Sequence, residues 1–123
     1  MIDPTLQQAT YINLETFRQN GVGVKTPVWQ TSEEGVLYVW TPAASGKVKR
    51  VRRNPQVRLC PSDARGNPQG AWITGQARLL EEPGAEAAQR QRMAAKYGLF
   101  FYFFRLIGLV RRTRYAVLAI TPA

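Results

Sequence analysis

Residues 41–57, TPAASGKVKRVRRNPQV, combine a cluster of positive charge with the signals of a short helix. Five cationic side chains occupy the seven positions from Lys47 to Arg53. Ser45 is a favourable helix N-cap and Asn54-Pro55 is a helix stop, so the helix is expected to lie between them. This concentration of charge predicts an anionic partner.

Four interpretations of the charge compete: a solvated helix face, a nucleic-acid surface, an acidic membrane surface and a phosphate site. Nucleic-acid binding requires basic residues spread over a face, with aromatic side chains for stacking. Here the features gather at the start of the helix. Thr41 and Ser45 offer hydroxyl groups there, and Gly46-Lys47 adds a close backbone approach and a charge. Because the free N–H groups of a first helical turn also bind anions, the pattern favours a pocket for one phosphate. No nucleic-acid partner is expected.

The composition is that of an ordinary globular domain. The chain has 123 residues, of which 45% are hydrophobic and 20% charged, and residues 1–123 are predicted to form one domain. The net charge of +9 arises from 17 Lys and Arg against 8 Asp and Glu. Residues 1–10 lack the basic and apolar regions of a signal peptide. Because the single cysteine cannot form an internal disulfide, a reduced, cytoplasmic setting is predicted.

The absence of histidine narrows the chemistry. It excludes Ser–His and Cys–His nucleophilic systems and histidine metal sites. Most acids lie in predicted turns, at Glu33, Glu34, Asp63, Glu81 and Glu82. Paired-carboxylate and two-metal hydrolysis are therefore disfavoured, and no metal site is expected. Thr41 occupies the place of the upstream glycine that a Walker loop requires before Gly46-Lys47. An enzyme with this sequence would depend on an organic cofactor.

Alternating polar and apolar residues predict six strands. They span residues 9–17, 22–31, 36–41, 56–62, 71–80 and 114–121. The first three are expected to pair consecutively as an antiparallel meander, and Gly75 is expected to mark a bulge or a close backbone approach. Further helices are predicted at 83–96 and 99–110. The fold class is mainly β, an antiparallel barrel with helical insertions.

The segment LFFYFFRLIGLV at 99–110 is the longest apolar run. It has about a dozen residues where a bilayer span needs ~20, and Arg105 interrupts it. It is expected to pack onto the barrel or across a subunit interface. Two alternatives are an apolar substrate pocket and a peripheral contact of residues 99–112 with an anionic membrane.

Four segments occur in an order that carries a family resemblance. They are GVKTPVW at 23–29, VLYVWT at 36–41, SGKVKRVRRNPQV at 45–57 and WITGQARL at 72–79. With the pattern T-x3-S-x-K-x5-R-N-P after the third strand, the chain resembles the pyridoxamine 5'-phosphate oxidase-like split β-barrel superfamily. Within it, the chain is most similar to the small oxidoreductases that depend on the deazaflavin coenzyme F420. The resemblance covers the chain from about Tyr11 to the closing strand.

The resemblance implies a six-stranded antiparallel split barrel that forms a homodimer, with cofactor sites at the subunit interface. It assigns the cofactor ring to the second strand, the ribityl chain to the end of the third, and the phosphate to the start of the basic helix. The partner subunit is expected to contribute from the strand at 71–80. The implied cofactor-binding residues are Lys25, Thr26, Pro27, Val28, Trp40, Thr41, Ser45, Lys47, Lys49, Arg53, Trp72 and Gln76.

The cofactor is expected to be coenzyme F420, with FMN as the alternative. The tail of glutamates on F420 requires cationic surface, which the abundant arginines and the cluster RRTR at 111–114 would supply. Heme, which a few split barrels bind, is disfavoured because no histidine exists to ligate iron. The expected reaction is hydride transfer from the reduced cofactor to an electron-poor double bond of a small organic substrate, with protonation by solvent. No residue stands out as catalytic, and a cofactor-binding protein without turnover is the remaining alternative.

Overall fold

The structure, a computed structural model, describes residues 4–98, 101, 102, 106 and 114–122. Its helices and strands follow one another as α1 (Pro4–Gln8), β1 (Tyr11–Phe17), β2 (Gly23–Trp29), β3 (Thr31–Glu33), β4 (Val36–Pro42), α2 (Gly46–Arg53), β5 (Gln56–Ser62), β6 (Ile73–Leu80), α3 (Ala85–Tyr97) and β7 (Tyr115–Pro122).

The strands form one antiparallel sheet of seven strands, in the order β2-β1-β5-β6-β7-β4-β3. The sheet curls into a half-barrel, so that edge strand β2 approaches β4 without pairing with it. The mainly β, antiparallel fold expected from the sequence is confirmed. The six expected strands are present, and β3 is the additional one.

The expected meander of three consecutive strands is wrong. β1 and β2 form a hairpin, but β4 pairs with β3 and with the C-terminal β7. The chain leaves the sheet edge after β2 because Gln30 is fully buried and its backbone is bonded to the Tyr97 hydroxyl. Glu34 and Gly35, both with positive φ, then turn the chain directly back as a β3–β4 hairpin. The pairing of β4 with β7 joins this hairpin to the rest of the curled sheet.

Helix α2 begins and ends where the sequence indicates. Ser45 is its N-cap, with extended backbone, and Asn54 is its C-cap. Val48 and Val51 are buried, which confirms the narrow apolar stripe that holds the helix to the sheet. The Ser45 side chain makes no capping hydrogen bond, so the hydroxyl is not committed to the helix itself.

The core fills the concave side of the sheet with aliphatic side chains. Its buried members are Leu6, Ile12, Leu14, Leu37, Val39, Val51, Val57, Leu59, Ala77, Leu118 and Ile120. Gly75 in β6 lies against this core. A Cβ atom at Gly75 would be 3.2 Å from Ile120 Cγ2 and 3.2 Å from the Thr121 carbonyl, so the expected close backbone approach is present. This contact lets β6 and β7 pack tightly under the core.

Gln30 connects three elements that are distant in the sequence. Its Nε2 donates to the carbonyl oxygens of Leu6, Gln7 and Ala9, which lie at the end of α1 and just after it. The Lys96 ammonium, near the end of α3, donates to the Ala9 and Gln30 carbonyls at 2.9 and 2.8 Å. Helices α1 and α3 are thereby fixed to the junction between β2 and β3.

Most of the predicted helix at 99–110, and of the proposed membrane-contact segment at 99–112, lies outside the described residues. Phe101 is buried against Trp40, with ring centroids 5.3 Å apart, whereas Tyr102 and Leu106 are exposed. Within the described ranges, no helix has the length and apolar character needed to cross a bilayer.

Candidate functional site

A groove of about 390 Å³ opens between the edge strand β2 and the strands β4 and β7. The groove is lined by Tyr11, Pro27, Val28, Trp29, Trp40, Thr41, Pro42, Lys47, Met93 and Tyr115. Five of these are among the residues that the family resemblance assigns to one cofactor: Pro27, Val28, Trp40, Thr41 and Lys47. The curl of the sheet brings them together from β2, β4 and α2.

Among the described residues that line the groove, Lys47 is the one that carries an ammonium group, and it lies in the first turn of α2. Burial lowers the pKa of Lys47, and the neighbouring charge of Arg50 lowers it further. The Ser45 hydroxyl, at the N-cap of the same helix, is buried and has no hydrogen-bond partner. Ser45 does not itself line the groove, but its hydroxyl and the Lys47 ammonium both lie at the start of α2, where an anionic acceptor would be favoured.

Trp40 forms the wall on the β4 side. Its indole stacks on Tyr115, with ring centroids 3.9 Å apart and planes inclined by 20°. The Nε1–H of Trp40 is buried and has no partner. Because an indole N–H is only a donor, it can be satisfied in the groove by a ligand oxygen or nitrogen or by a water molecule.

On the β2 side, Pro27 and Val28 line the groove, while Thr26 and Lys25 lie farther along the strand. The Thr26 hydroxyl is another buried oxygen without a partner. Lys25 does not line the groove, and its Nζ lies 5.1 Å from the ring centroid of Trp72. Three of the residues assigned from sequence, Thr26, Trp40 and Ser45, therefore hold buried polar atoms that nothing in the described chain satisfies.

The remaining assigned residues do not line the groove. Lys49 and Arg53 are exposed on α2, and Arg53 Nη2 lies 3.5 Å from the Phe17 carbonyl. Trp72, just before β6, has the Lys25 ammonium and the Arg58 guanidinium each 5.1 Å from its ring centroid. Gln76 is exposed in β6, opposite Gln56 and Thr121.

Three aromatic residues of the groove lining are not indicated by the sequence patterns. Trp29, Tyr11 and Tyr115 lie in predicted strands, where aromatic side chains most often serve packing. Trp29 continues the assigned run from Lys25 to Val28, and this adjacency was the signal that could have included it. Tyr115 gave no comparable signal, because its contact with Trp40 depends on the β4–β7 pairing, which local sequence patterns do not indicate.

A second cavity, of about 620 Å³, lies between β3 and α3. Its charged side chains already have partners. Arg92 pairs with Glu33 at 3.1 Å and lies over the Tyr38 ring, and the Lys96 ammonium is bonded to carbonyl oxygens. Within the described chain, the lining of the groove instead includes a buried donor without a partner, the Trp40 N–H, and an unpaired cation, Lys47. The groove is therefore the better candidate despite its smaller volume. Among the described residues, no group of acids and cysteine is arranged to hold a metal ion.

No protein-family model and no curated protein matches the chain. Solved structures do match. The heme storage protein HutZ from Vibrio cholerae superimposes with a TM-score of 0.71 at 13% identity, over 97% of this chain and 85% of that one. A putative pyridoxamine 5'-phosphate oxidase from Listeria innocua gives a TM-score of 0.66 at 16% identity, over 96% and 87%.

An F420 reductase is also similar, with a TM-score of 0.64 at 15% identity, over 100% of this chain and 96% of that one. These neighbours are split-barrel proteins of the kind that the sequence motifs resemble. The chain therefore has the split-barrel fold. At these identities the likeness establishes the fold, and the activity of the chain has to be argued from its groove.

Proposed function

We propose that the groove binds a flavin or deazaflavin cofactor through its phosphate and its ring, and that the protein is a coenzyme F420-dependent oxidoreductase. The observation that carries the proposal is that Pro27, Val28, Trp40, Thr41 and Lys47 line one groove. The resemblance assigned these residues to a single cofactor, although they come from three separate elements. The split-barrel fold, which the chain shares with an F420 reductase, supports the same conclusion.

The groove residues match the chemistry of such a ligand. Lys47 and the Ser45 hydroxyl would hold the phosphate at the N-terminus of α2, where free N–H groups add to the positive potential. The buried Trp40 N–H would donate to a polar atom of the ligand. The aromatic walls of Trp29 and Trp40 would exclude water from the ring.

When bound and reduced, the cofactor would supply a hydride to an electron-poor double bond of a small organic substrate. No carboxylate is found among the lining residues that the structure describes. We therefore assign the accompanying proton to solvent, and the chain's own contribution to binding, orientation and exclusion of water. The same lack of an acid also favours the second candidate, a cofactor-binding protein without turnover.

We further propose that the protein is a homodimer in which Trp72 and Gln76 reach the groove of the second copy. Both residues lie outside the groove of their own chain, which is consistent with a contribution across an interface. Sedimentation of the purified protein measures the dimer. Mixing Lys47→Met and Trp72→Ala proteins tests the shared site, because one intact groove should form in each mixed dimer and restore binding.

Fluorescence titration of the purified protein with coenzyme F420, and separately with FMN, tests the cofactor. We expect F420 to bind more tightly, and Lys47→Met to weaken binding at least tenfold. Lys49→Met is the matched control, because it removes the same charge from an exposed position on the same helix. Preference for FMN would assign the protein to the FMN alternative, and binding of neither would refute the proposal.

Reduced cofactor bound to the protein separates the two candidate functions. An oxidoreductase should oxidise it faster in the presence of electron-poor alkenes or quinones than without them. A binding protein should retain it unchanged with every acceptor.

A further inference from the structure

Trp29 is the aromatic wall on the β2 side of the groove, and it belongs to an edge strand. Its indole lies parallel to the Tyr97 ring, with centroids 4.2 Å apart and planes inclined by 8°. Tyr11 meets Trp29 at 6.4 Å and 62°, an edge contact. Of these two neighbours, only Tyr97 presents a flat surface that can set the plane of the indole.

Tyr97 is in turn fixed by its hydroxyl group. The hydroxyl accepts a hydrogen bond from the Gln30 N–H at 3.0 Å and lies 2.8 Å from the carbonyl oxygens of Gln30 and Thr10. Burial raises the pKa of Tyr97, so the hydroxyl stays protonated and donates to one of those carbonyls at physiological pH. The hydroxyl therefore holds the backbone beside Trp29, while the ring holds the side chain.

We propose that Tyr97 is a positioning residue, which keeps Trp29 in the plane against which the flat ring of a flavin or deazaflavin lies. Tyr97 does not line the groove and acts through Trp29. The proposal rests on the proposed function, since it names the residue that sets ring recognition in that same groove. Tyr97 then has two separate roles: its hydroxyl stabilises the fold, and its ring determines the affinity for planar ligands.

Two variants separate these parts. Tyr97→Phe keeps the stacked ring and loses the hydroxyl, so it should lower the melting temperature yet bind FMN and coenzyme F420 within about twofold of wild type. Tyr97→Leu loses the stack and should weaken binding of both by roughly 2- to 10-fold, the range expected for one aromatic pair. Inorganic phosphate, used as a competitor, should bind all three proteins equally. Equal losses of ring affinity in the two variants would overturn the proposal.

A double-mutant cycle tests the route through Trp29. If Tyr97 acts only through the indole, Tyr97→Leu should cause no further loss of affinity in a Trp29→Leu background. A full, additive loss in that background would show that Tyr97 affects the ligand by another route.

A measurement without ligand keeps this inference separate from the proposed function. The chain has 3 Trp, so Trp40→Phe with Trp72→Phe leaves Trp29 as the only indole. In this protein, Tyr97→Leu should increase acrylamide quenching of Trp29 and diminish its near-ultraviolet circular dichroism, whereas Tyr97→Phe should change neither. Unchanged spectra with Tyr97→Leu would refute the positioning role. Changed spectra, together with a wild-type protein that binds neither cofactor, would instead refute the proposed function alone.

Discussion

The Arg50 Nε donates to the Thr16 hydroxyl at 2.6 Å and ties α2 to the end of β1. Thr16 is fully buried, so its oxygen depends on this partner. Arg50 makes the bond although Arg18 and Arg53, both of the same charge, lie nearby and lower its pKa after the larger effect of burial. The helix that carries Lys47 is therefore fixed to β1 by an arginine that has two other arginines nearby.

Arg50→Lys retains this charge but loses the geometry of the guanidinium. We expect it to lower the free energy of unfolding by about 1.5–3 kcal/mol, as is typical for loss of a hydrogen bond to a charged group. Thr16→Val removes the other partner and should have a similar effect in urea unfolding. Because both changes break one bond, the double variant should be little worse than either alone. Additive losses would mean that the bond contributes little.

Binding of a phosphate-bearing ligand should weaken at alkaline pH. Burial and the charge of Arg50 lower the pKa of Lys47 from 10.5, so its ammonium loses its proton at a lower pH than an ordinary lysine. The attraction for phosphate falls as that proton leaves. Titrations of FMN or coenzyme F420 from pH 7 to pH 10.5 should show this decrease in wild type and in Lys49→Met. A decrease of the same size in Lys47→Met would assign the effect to another group.

Stability should also depend on Lys96. Burial lowers its pKa from 10.5 to about 8, so the folded protein releases this proton before the unfolded chain does. Between about pH 8 and pH 10.5 the unfolded state binds more protons at this site, and its contribution to stability rises with pH. The difference in unfolding free energy between wild type and Lys96→Met should therefore increase from pH 7.5 to pH 9.5.

Taking that difference cancels the opposing contributions of Cys60 and Tyr97, because both proteins contain them. Burial raises the pKa of each of these groups, so each lowers stability at high pH. A difference that is independent of pH would show that the carbonyl oxygens of Ala9 and Gln30 stabilise the ammonium enough to offset its burial.

Gly75→Ala should destabilise the protein by about 1–3 kcal/mol, as is usual for an extra methyl group in a packed core. The added Cβ would press on Ile120, the Thr121 carbonyl and Leu59. Thr74→Ala, at the preceding and exposed position of β6, is the control and should change stability by less than about 0.5 kcal/mol. Thermal unfolding of the two variants measures the difference, and an unaffected Gly75→Ala would contradict the close contact.

Local sequence signals were sufficient to predict the helices and strands but insufficient to predict which strands pair. The caps and apolar stripe of α2 depend on neighbouring residues, so they could be read directly from Ser45, Val48 and Asn54. The pairing of β4 with β7 could not be predicted in this way, because β7 lies far along the chain. The interruption between β2 and β3 at Gln30 likewise depends on a distant residue, Tyr97. Helix α3 starts at Ala85 instead of Pro83, because Gly84 adopts a left-handed conformation ahead of it.

The residues of the candidate site likewise fall into those that could be predicted from the sequence and those that could not. The motif order located Pro27, Val28, Trp40, Thr41 and Lys47, all of which line the groove. It did not locate Tyr115 or Met93, whose positions follow from strand pairing and from the docking of α3. Lys49 has the same charge as Lys47 but lies on the exposed face of α2, a distinction that depends on the direction in which the helix meets the sheet.

The junction at Gln30 also bears on the order of assembly. Its amide reaches partners 21 to 24 residues away, and its backbone carbonyl is bonded to side chains 66 and 67 residues away. Contacts of such sequence separation form only after much chain entropy has been lost, and the β4–β7 pairing spans a still greater 73 to 83 residues. The Gln30 junction and the β4–β7 pairing should therefore both form after the local β1–β2 and β3–β4 hairpins. Because α1 and α3 contact the sheet far less than the paired strands contact one another, their amide hydrogens should exchange before those of the barrel strands.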